Sequence, residues 1–259
     1  MKHTFYLFLA LSCSIFGQET IETSFVKETP LKVETVVNID NFGTIYYIEN
    51  DVFNKKTLDR TITYNNIQLG RLHSANAFNP LKINLFYKDF NTVIILDNRL
   101  AEIFKIDFNA ITPYKNITHI STGFDNTLWV FNQDLQKLEL FDYKTQTTRA
   151  LTVPVQSPVL DLKSNYNYCW LLTEKYLYMY NYFGSLVLKI KNEGYSTLVE
   201  SNENIILKRD NNLLYLKRSS AVPVPIKMPN LLINQFFVTN ETLYIYNQEI
   251  LQQLQLKIK

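Results

Sequence analysis

Six short apolar blocks recur along the chain: Ile45-Tyr46-Tyr47-Ile48, Val93-Ile94-Ile95-Leu96, Leu128-Trp129-Val130-Phe131, Cys169-Trp170-Leu171-Leu172, Ile205-Ile206-Leu207-Lys208 and Leu243-Tyr244-Ile245-Tyr246. Only Lys208 interrupts the apolar column, and successive blocks start 48, 35, 41, 36 and 38 positions apart. Each block runs into a polar turn that carries one carboxylate: Asp51, Asp97, Asp134, Glu174, Asp210 and Glu249. A further apolar residue follows each turn: Val52, Leu100, Leu135, Tyr176, Leu213 and Ile250. The blocks are too short for helices and rich in β-branched and aromatic side chains, so they read as strands. They do not alternate apolar with polar, so both faces of each strand are expected to be dry.

A strand that is dry on both faces needs a sheet packed on each side, and radially stacked blades supply that geometry. A period near 40 with several short strands per unit is the signature of such a ring. The expectation is therefore an all-β fold, a six-bladed β-propeller of four-stranded antiparallel blades. Over residues 33–259 the pattern resembles the WD40-like and NHL-like propeller families. It lacks their Trp-Asp and Gly-His signatures, and its turns hold almost no glycine. A pair of β-sandwiches and a seven-bladed ring are the competing arrangements. In the second unit the expected strands are Ile83 to Tyr87, the Val93 block, Leu100 to Ile106 and a short strand near Ala110-Ile111, with Asn65 to Pro80 as a long connection before them. The last unit stops one strand short at the C-terminus. The segment Ile21 to Lys27 is expected to fill that gap and close the ring with an N-terminal strand, pairing edge groups that would otherwise be exposed.

The chain opens with Met1-Lys2-His3-Thr4, an apolar run from Phe5 to Leu11, and then Ser12-Cys13-Ser14-Ile15-Phe16-Gly17, with the small Gly17 at the expected cut. This is the layout of a secretory signal peptide over residues 1–17, which leaves residues 18–259 as one β-propeller domain. The run is too short to span a bilayer; an acylated Cys13 is the alternative use of the same segment. With Cys13 removed, Cys169 is the only cysteine of the mature chain, and its apolar neighbours mark it as a core residue. Net charge is +2 with acids and bases interspersed, so there is no electrostatic case for nucleic acid.

Candidate chemistry is sparse. The six turn carboxylates could form a ring for a cation, but Asp in such turns more commonly bonds its own backbone. His73 and His119 have no partners at zinc spacing. No Gly-x-Ser-x-Gly, phosphate loop or dinucleotide fingerprint occurs. No catalytic, cofactor-binding or metal-binding residue is assigned, and no cofactor is expected. The tyrosines from Tyr166 to Tyr182 follow strand periodicity and read as packing. The least repeat-like stretch is Arg71 to Pro80. Long irregular loops on rigid scaffolds often carry function, so Arg71, Leu72, His73 and Phe78 are the candidate partner-binding residues, expected on the rim that holds the acidic turns. The Asn-, Lys-, Ile- and Tyr-rich composition, together with the leader, resembles flavobacterial (Bacteroidota) envelope proteins, among them PorD-like accessories of the type IX secretion and gliding apparatus. That resemblance implies a non-catalytic, exported scaffold, periplasmic or associated with the outer membrane. Its partner would be an envelope protein, with membrane contact only by association or through Cys13. The alternative is a propeller enzyme or carbohydrate-binding protein with a central-channel site, for which His119 and Asp161 are the only suggestive pair.

Overall fold

The computed structural model describes residues 20–258, so the segment read as a signal peptide, Cys13 included, lies outside them. After β1 (Ile21–Pro30), four discrete sheets follow, each of four antiparallel strands in sequence order. The first holds β2 (Thr35–Ile39), β3 (Ile45–Glu49), β4 (Val52–Lys56) and β5 (Thr61–Tyr64). The second holds β6 (Ser74–Asn76), β7 (Ile83–Tyr87), β8 (Thr92–Leu96) and β9 (Glu102–Asp107). The third holds β10 (Ile117–Thr122), β11 (Thr127–Asn132), β12 (Lys137–Asp142) and β13 (Thr147–Leu151). The fourth holds β14 (Val159–Ser164), β15 (Tyr168–Thr173), β16 (Tyr176–Asn181) and β17 (Leu186–Lys191). The remaining strands are β18 (Thr197–Ser201), β19 (Asn204–Arg209), β20 (Asn212–Leu216), β21 (Val224–Lys227), β22 (Gln235–Thr239), β23 (Thr242–Tyr246) and β24 (Ile250–Lys257). With β1 they form one eight-stranded sheet in the order β18-β19-β20-β21-β1-β24-β23-β22. The first strands of successive units are neighbours, and β22 returns to β2, so the sheets close into a propeller.

The expectation of six four-stranded blades is corrected by this sheet order: four discrete four-stranded antiparallel blades are present, not six, beside a single eight-stranded sheet. The cause is β1. It pairs antiparallel with β24 from Glu22↔Lys257 to Pro30↔Ile250, and its first residues also pair in parallel with β21, at Ile21↔Ile226 and Glu22↔Lys227. This segment, expected to have one neighbour, has two, and the second pairing fuses what would have been separate sheets.

The second blade carries another correction. Its first strand is β6, drawn from the stretch read as a connection, and there is no strand at Ala110-Ile111. The Val93 block is therefore a third strand, and Ile83–Tyr87 is the counterpart of the Leu128 block. The polar composition of Ser74-Ala75-Asn76 hides a strand whose side chains are only half-buried.

The two-faced burial explains why these blocks are strands of a ring. In β11, Leu128 and Val130 pack towards the second blade while Trp129 and Phe131 pack towards the fourth. In β15, Cys169 and Leu171 face back, and Trp170 and Leu172 face forward. One strand thus feeds two cores, as a period of two dictates. The first block departs from this pattern: Tyr46 and Ile48 are buried, but Ile45 and Tyr47 are half-exposed.

One buried ion pair lies inside the third blade. The Lys115 ammonium and the Thr148 hydroxyl each donate to Glu139 Oε2 at 2.6 Å, and the Asn132 amide donates to Oε1 at 2.9 Å. Burial works to raise the Glu139 carboxyl, but the Lys115, Thr148 and Asn132 donors outweigh it and hold the group below the ordinary carboxylate range. A depressed folded pKa contributes stability above the unfolded value of about 4.3, and this is lost as pH falls through the folded pKa. Glu139→Gln is therefore expected to flatten the acid limb of stability below about pH 4, measured by denaturant unfolding across pH. Glu139→Ala strands a buried ammonium and is expected to cost about 3–5 kcal/mol at neutral pH. Deleting residues 20–30 removes the buried side chain of Ile21, worth about 1.5–3 kcal/mol, and bares the edges of β21 and β24. A fall in Tm of about 5 °C or more is expected, at roughly 2–4 °C per kcal/mol; an unchanged Tm would rule out a role for β1 in stability.

Candidate functional site

In an antiparallel meander, the first and third turns of each blade fall on one rim of the ring. The second turns and the connections between blades fall on the other. All four discrete blades place an aromatic residue in the first turn: Phe42, Phe78, Phe124 and Tyr166, at 90%, 39%, 59% and 39% exposure. Local hydrogen bonds shape these turns. Asp40 Oδ1 accepts from the Phe42 and Thr44 amides, both at 2.9 Å, and Asn76 Oδ1 accepts from the Phe78 amide at 3.0 Å. Asn165 Oδ1 accepts from the Asn167 and Tyr168 amides at 2.9 and 2.8 Å. Gly123 admits no side chain, because a Cβ there would lie 2.3 Å from Thr127 Oγ1 and 2.7 Å from the Thr127 carbonyl. The turn that presents Phe124 is thereby held tight.

Three of the rings meet. Phe78 and Tyr166 are 5.2 Å apart edge to face, and Phe124 and Tyr166 are 6.3 Å apart in the same manner. These residues come from the second, third and fourth blades. Contact between the second and fourth, across the third, requires the rings to lean inward over the mouth of the channel. A polar belt below fixes their supports. The Asn76 amide donates to Ser121 Oγ at 3.3 Å, the Thr122 hydroxyl to Asn76 Oδ1 at 3.1 Å, and the Ser164 hydroxyl to Ser121 Oγ at 2.7 Å. The Lys82 ammonium donates to the Asp125 carbonyl at 2.8 Å, tying the Phe78 loop to the Phe124 turn. The cluster is thus aromatic and water-facing, on turns tied to one another by hydrogen bonds.

The four residues singled out from the sequence do not form one site. Phe78 follows β6 and belongs to the aromatic cluster. Arg71, Leu72 and His73 precede β6 and lie towards the opposite rim. Arg71 is exposed, but Leu72 is 4% exposed and packs in the core between the first two blades. His73 stands edge-on to Phe86 at 6.1 Å. Partial burial, then the charges of Lys88 and Arg71, hold its pKa below the ordinary imidazole value. Phe124 and Tyr166 were missed. The legible signal is an aromatic flanked by Asn, Asp, Gly or Ala in the first turn of successive units: Asn41-Phe42-Gly43, Ala77-Phe78-Asn79, Gly123-Phe124-Asp125 and Asn165-Tyr166-Asn167.

The turn carboxylates do not make a ring. Asp97 lies in a third turn, between β8 and β9, and so falls on the aromatic rim, where its Oδ1 accepts from the Arg99 and Ala101 amides at 2.8 and 2.9 Å. Asn50 and Asp51 both have positive φ, 49° and 61°, the backbone of a two-residue hairpin turn. Among the described residues no group of three or more His, Cys, Asp or Glu gathers to hold a metal. His119 Nδ1 lies 3.0 Å from Thr118 Oγ1. Asp161 accepts from the Thr197 hydroxyl at 2.5 Å and the Leu198 amide at 3.0 Å, and pairs with Lys163 at 3.2 Å. No hydrogen bond joins His119 to Asp161 among the described residues. Burial pushes the Cys169 thiol well above its ordinary value.

No family model matches the sequence, and no curated protein matches it. Solved structures do. Virginiamycin B lyase from Staphylococcus aureus superposes with a TM-score of 0.59 at 9% identity, covering 88% of this chain and 99% of that one. A chain of the mitotic checkpoint complex gives 0.57 at 10% identity, covering 93% and 94%. PorZ, a surface component of the type IX secretion system of Porphyromonas gingivalis, gives 0.51 at 13% identity, covering 86% of this chain and 31% of that one. At such identities the likeness shows the fold alone. The protein is an all-β propeller whose relatives in shape include both an enzyme and a secretion-system component.

Proposed function

We propose that this protein is a non-catalytic, exported propeller that scaffolds a cell-envelope assembly by docking a partner protein on its aromatic rim. The observation that carries this reading is the exposed cluster of Phe78, Phe124 and Tyr166. Water-facing aromatics held by a rigid frame are what protein interfaces use as anchors, since they bury much area and lose little freedom on binding. Phe42 extends the same rim and offers a further apolar contact. The envelope setting is supported by the leader-like N-terminus and by the shared fold with PorZ.

The test is affinity isolation of the tagged protein from its native envelope. Wild type is expected to recover one partner in stoichiometric amount. Truncating an anchor of this kind costs about 2 kcal/mol or more, so the variant Phe78→Ala, Phe124→Ala, Tyr166→Ala is expected to lose the partner while keeping its Tm. Arg71→Ala, towards the other rim, is expected to retain it. Equal recovery by the folded triple variant would refute the rim assignment.

A further inference from the structure

We propose that the outer edge of β17 is a docking site for an extended segment of a partner protein, one that carries aliphatic followed by acidic side chains and adds to the fourth blade as a fifth strand. The molecule contains its own template for this pairing. At β21, the outer strand of the fifth unit, the extended segment β1 is added in parallel. Ile21 packs with Ile226 in a common core, both buried, and Glu22 meets Lys227 at 3.3 Å. The receiving strand ends Ile226-Lys227. β17 ends Ile190-Lys191.

Among the described residues no strand covers the outer side of β17, and its side chains are open to solvent. Ile226, under β1, is 6% exposed, whereas Ile190 is only half-buried. Leu186 and Val187 are 50% and 49% exposed, and Phe183, just before the strand, is 67% exposed. The Gly184 turn packs against Ala150 and Leu151 of the third blade, and Leu151, at 46% exposure, continues the apolar surface. Open edges are normally blunted by proline, charge or brevity. β21 carries Pro225 within it; β17 has six residues and no proline, and its only blunting charges are Lys189 and Lys191, which an acidic segment would neutralise. The other outer strands suit such a segment less well. β5 lacks a cation, β9 carries Glu102 and Asp107, and the one cation of β13, Arg149, is engaged by Asp142. β17 joins an aliphatic run to two cations: the Lys189 ammonium lies over the Tyr176 ring at 4.1 Å, which leaves Lys191 to meet a carboxylate, so the complementary segment is aliphatic and acidic. This site lies on the outer wall and is independent of the aromatic rim.

The probe is a fluorescein-labelled peptide of residues 20–30, read by anisotropy against the full mature protein. Binding is expected. Lys191→Glu in the protein, or Glu22→Lys in the peptide, is expected to weaken it about five- to tenfold, and combining the two changes is expected to restore it. Lys191 is exposed, so the variant should keep its Tm, which is checked in parallel. Absence of binding overturns the proposal, as does binding indifferent to Lys191→Glu. Binding lost through Lys227→Glu instead would mean that the peptide exchanges into the place of β1, and also overturns it. Sedimentation showing a dimer that Lys191→Glu dissolves would make a second copy the occupant and would overturn the partner assignment.

Discussion

A strand that is apolar on both faces cannot lie in a sheet with one wet side. The closed row of sheets follows from that constraint. Trp129 and Trp170 each leave the strand in the direction of the next blade, while Leu128 and Leu171 leave in the direction of the previous one. No blade can bury its middle strands alone, so stability is shared between neighbours and the row of sheets must return on itself. The return is made by Tyr244, Tyr246 and Leu251 packing on Leu31, Val36 and Ile39. Leu31 follows directly on β1, so the same short stretch pairs the last strand and fills the last core.

That double duty explains why the propeller does not divide into equal parts. An antiparallel partner for β24 would have been enough to complete the last repeat. The Ile21 side chain reaches further, into the core shared by β21 and β24, and the backbone follows it into parallel pairing with β21. The extra pairing covers an edge that Pro225 had already weakened as a ladder. A ring sealed by its first strand is held by pairing between residues about 200 positions apart in sequence. Such contacts carry a large loop-closure cost, which slows folding.

Much of the strand order was legible, because dry two-faced blocks have few other solutions. The second blade was misread because Ser74-Ala75-Asn76 carries no hydrophobic signal: it is held by backbone pairing to β7 and by Asn76 bonding to Ser121 and Thr122 of the next blade. The fused sheet was illegible for a related reason, since the choice of β21 as a second neighbour rests on two paired residues, the buried Ile21 side chain, the exposed Glu22–Lys227 ion pair and the Thr23 hydroxyl donating to the Lys227 carbonyl at 2.8 Å. Of the three residues in the aromatic cluster, Phe78 alone was among those singled out from the sequence. Leu72 has the composition of an interface anchor and the location of a core residue, a distinction that composition does not make. Phe124 and Tyr166 become visible once the first turns are aligned with one another.

The scarcity of glycine has a consequence for where function can reside. Beside Gly43, Gly70, Gly184, Gly194 and Leu100, the positive-φ positions are held by Asn, Asp, Gln and Glu, as at Asn202-Glu203 and Asn240-Glu241. A non-glycine residue in that region carries a modest backbone cost, lowest for Asn and Asp. In exchange the turn keeps a side chain. Asn167 uses its own to reach Glu203 at 2.8 Å, and Glu203 in turn pairs with Arg218 at 2.8 Å, so adjacent blades are laced together along the aromatic rim. At the aromatic turns themselves the ties are of both kinds: Gly123 lets its turn close on Thr127, and the Lys82 ammonium reaches across to the Asp125 carbonyl at 2.8 Å. These ties between turns fix the backbone from which Phe78, Phe124 and Tyr166 meet.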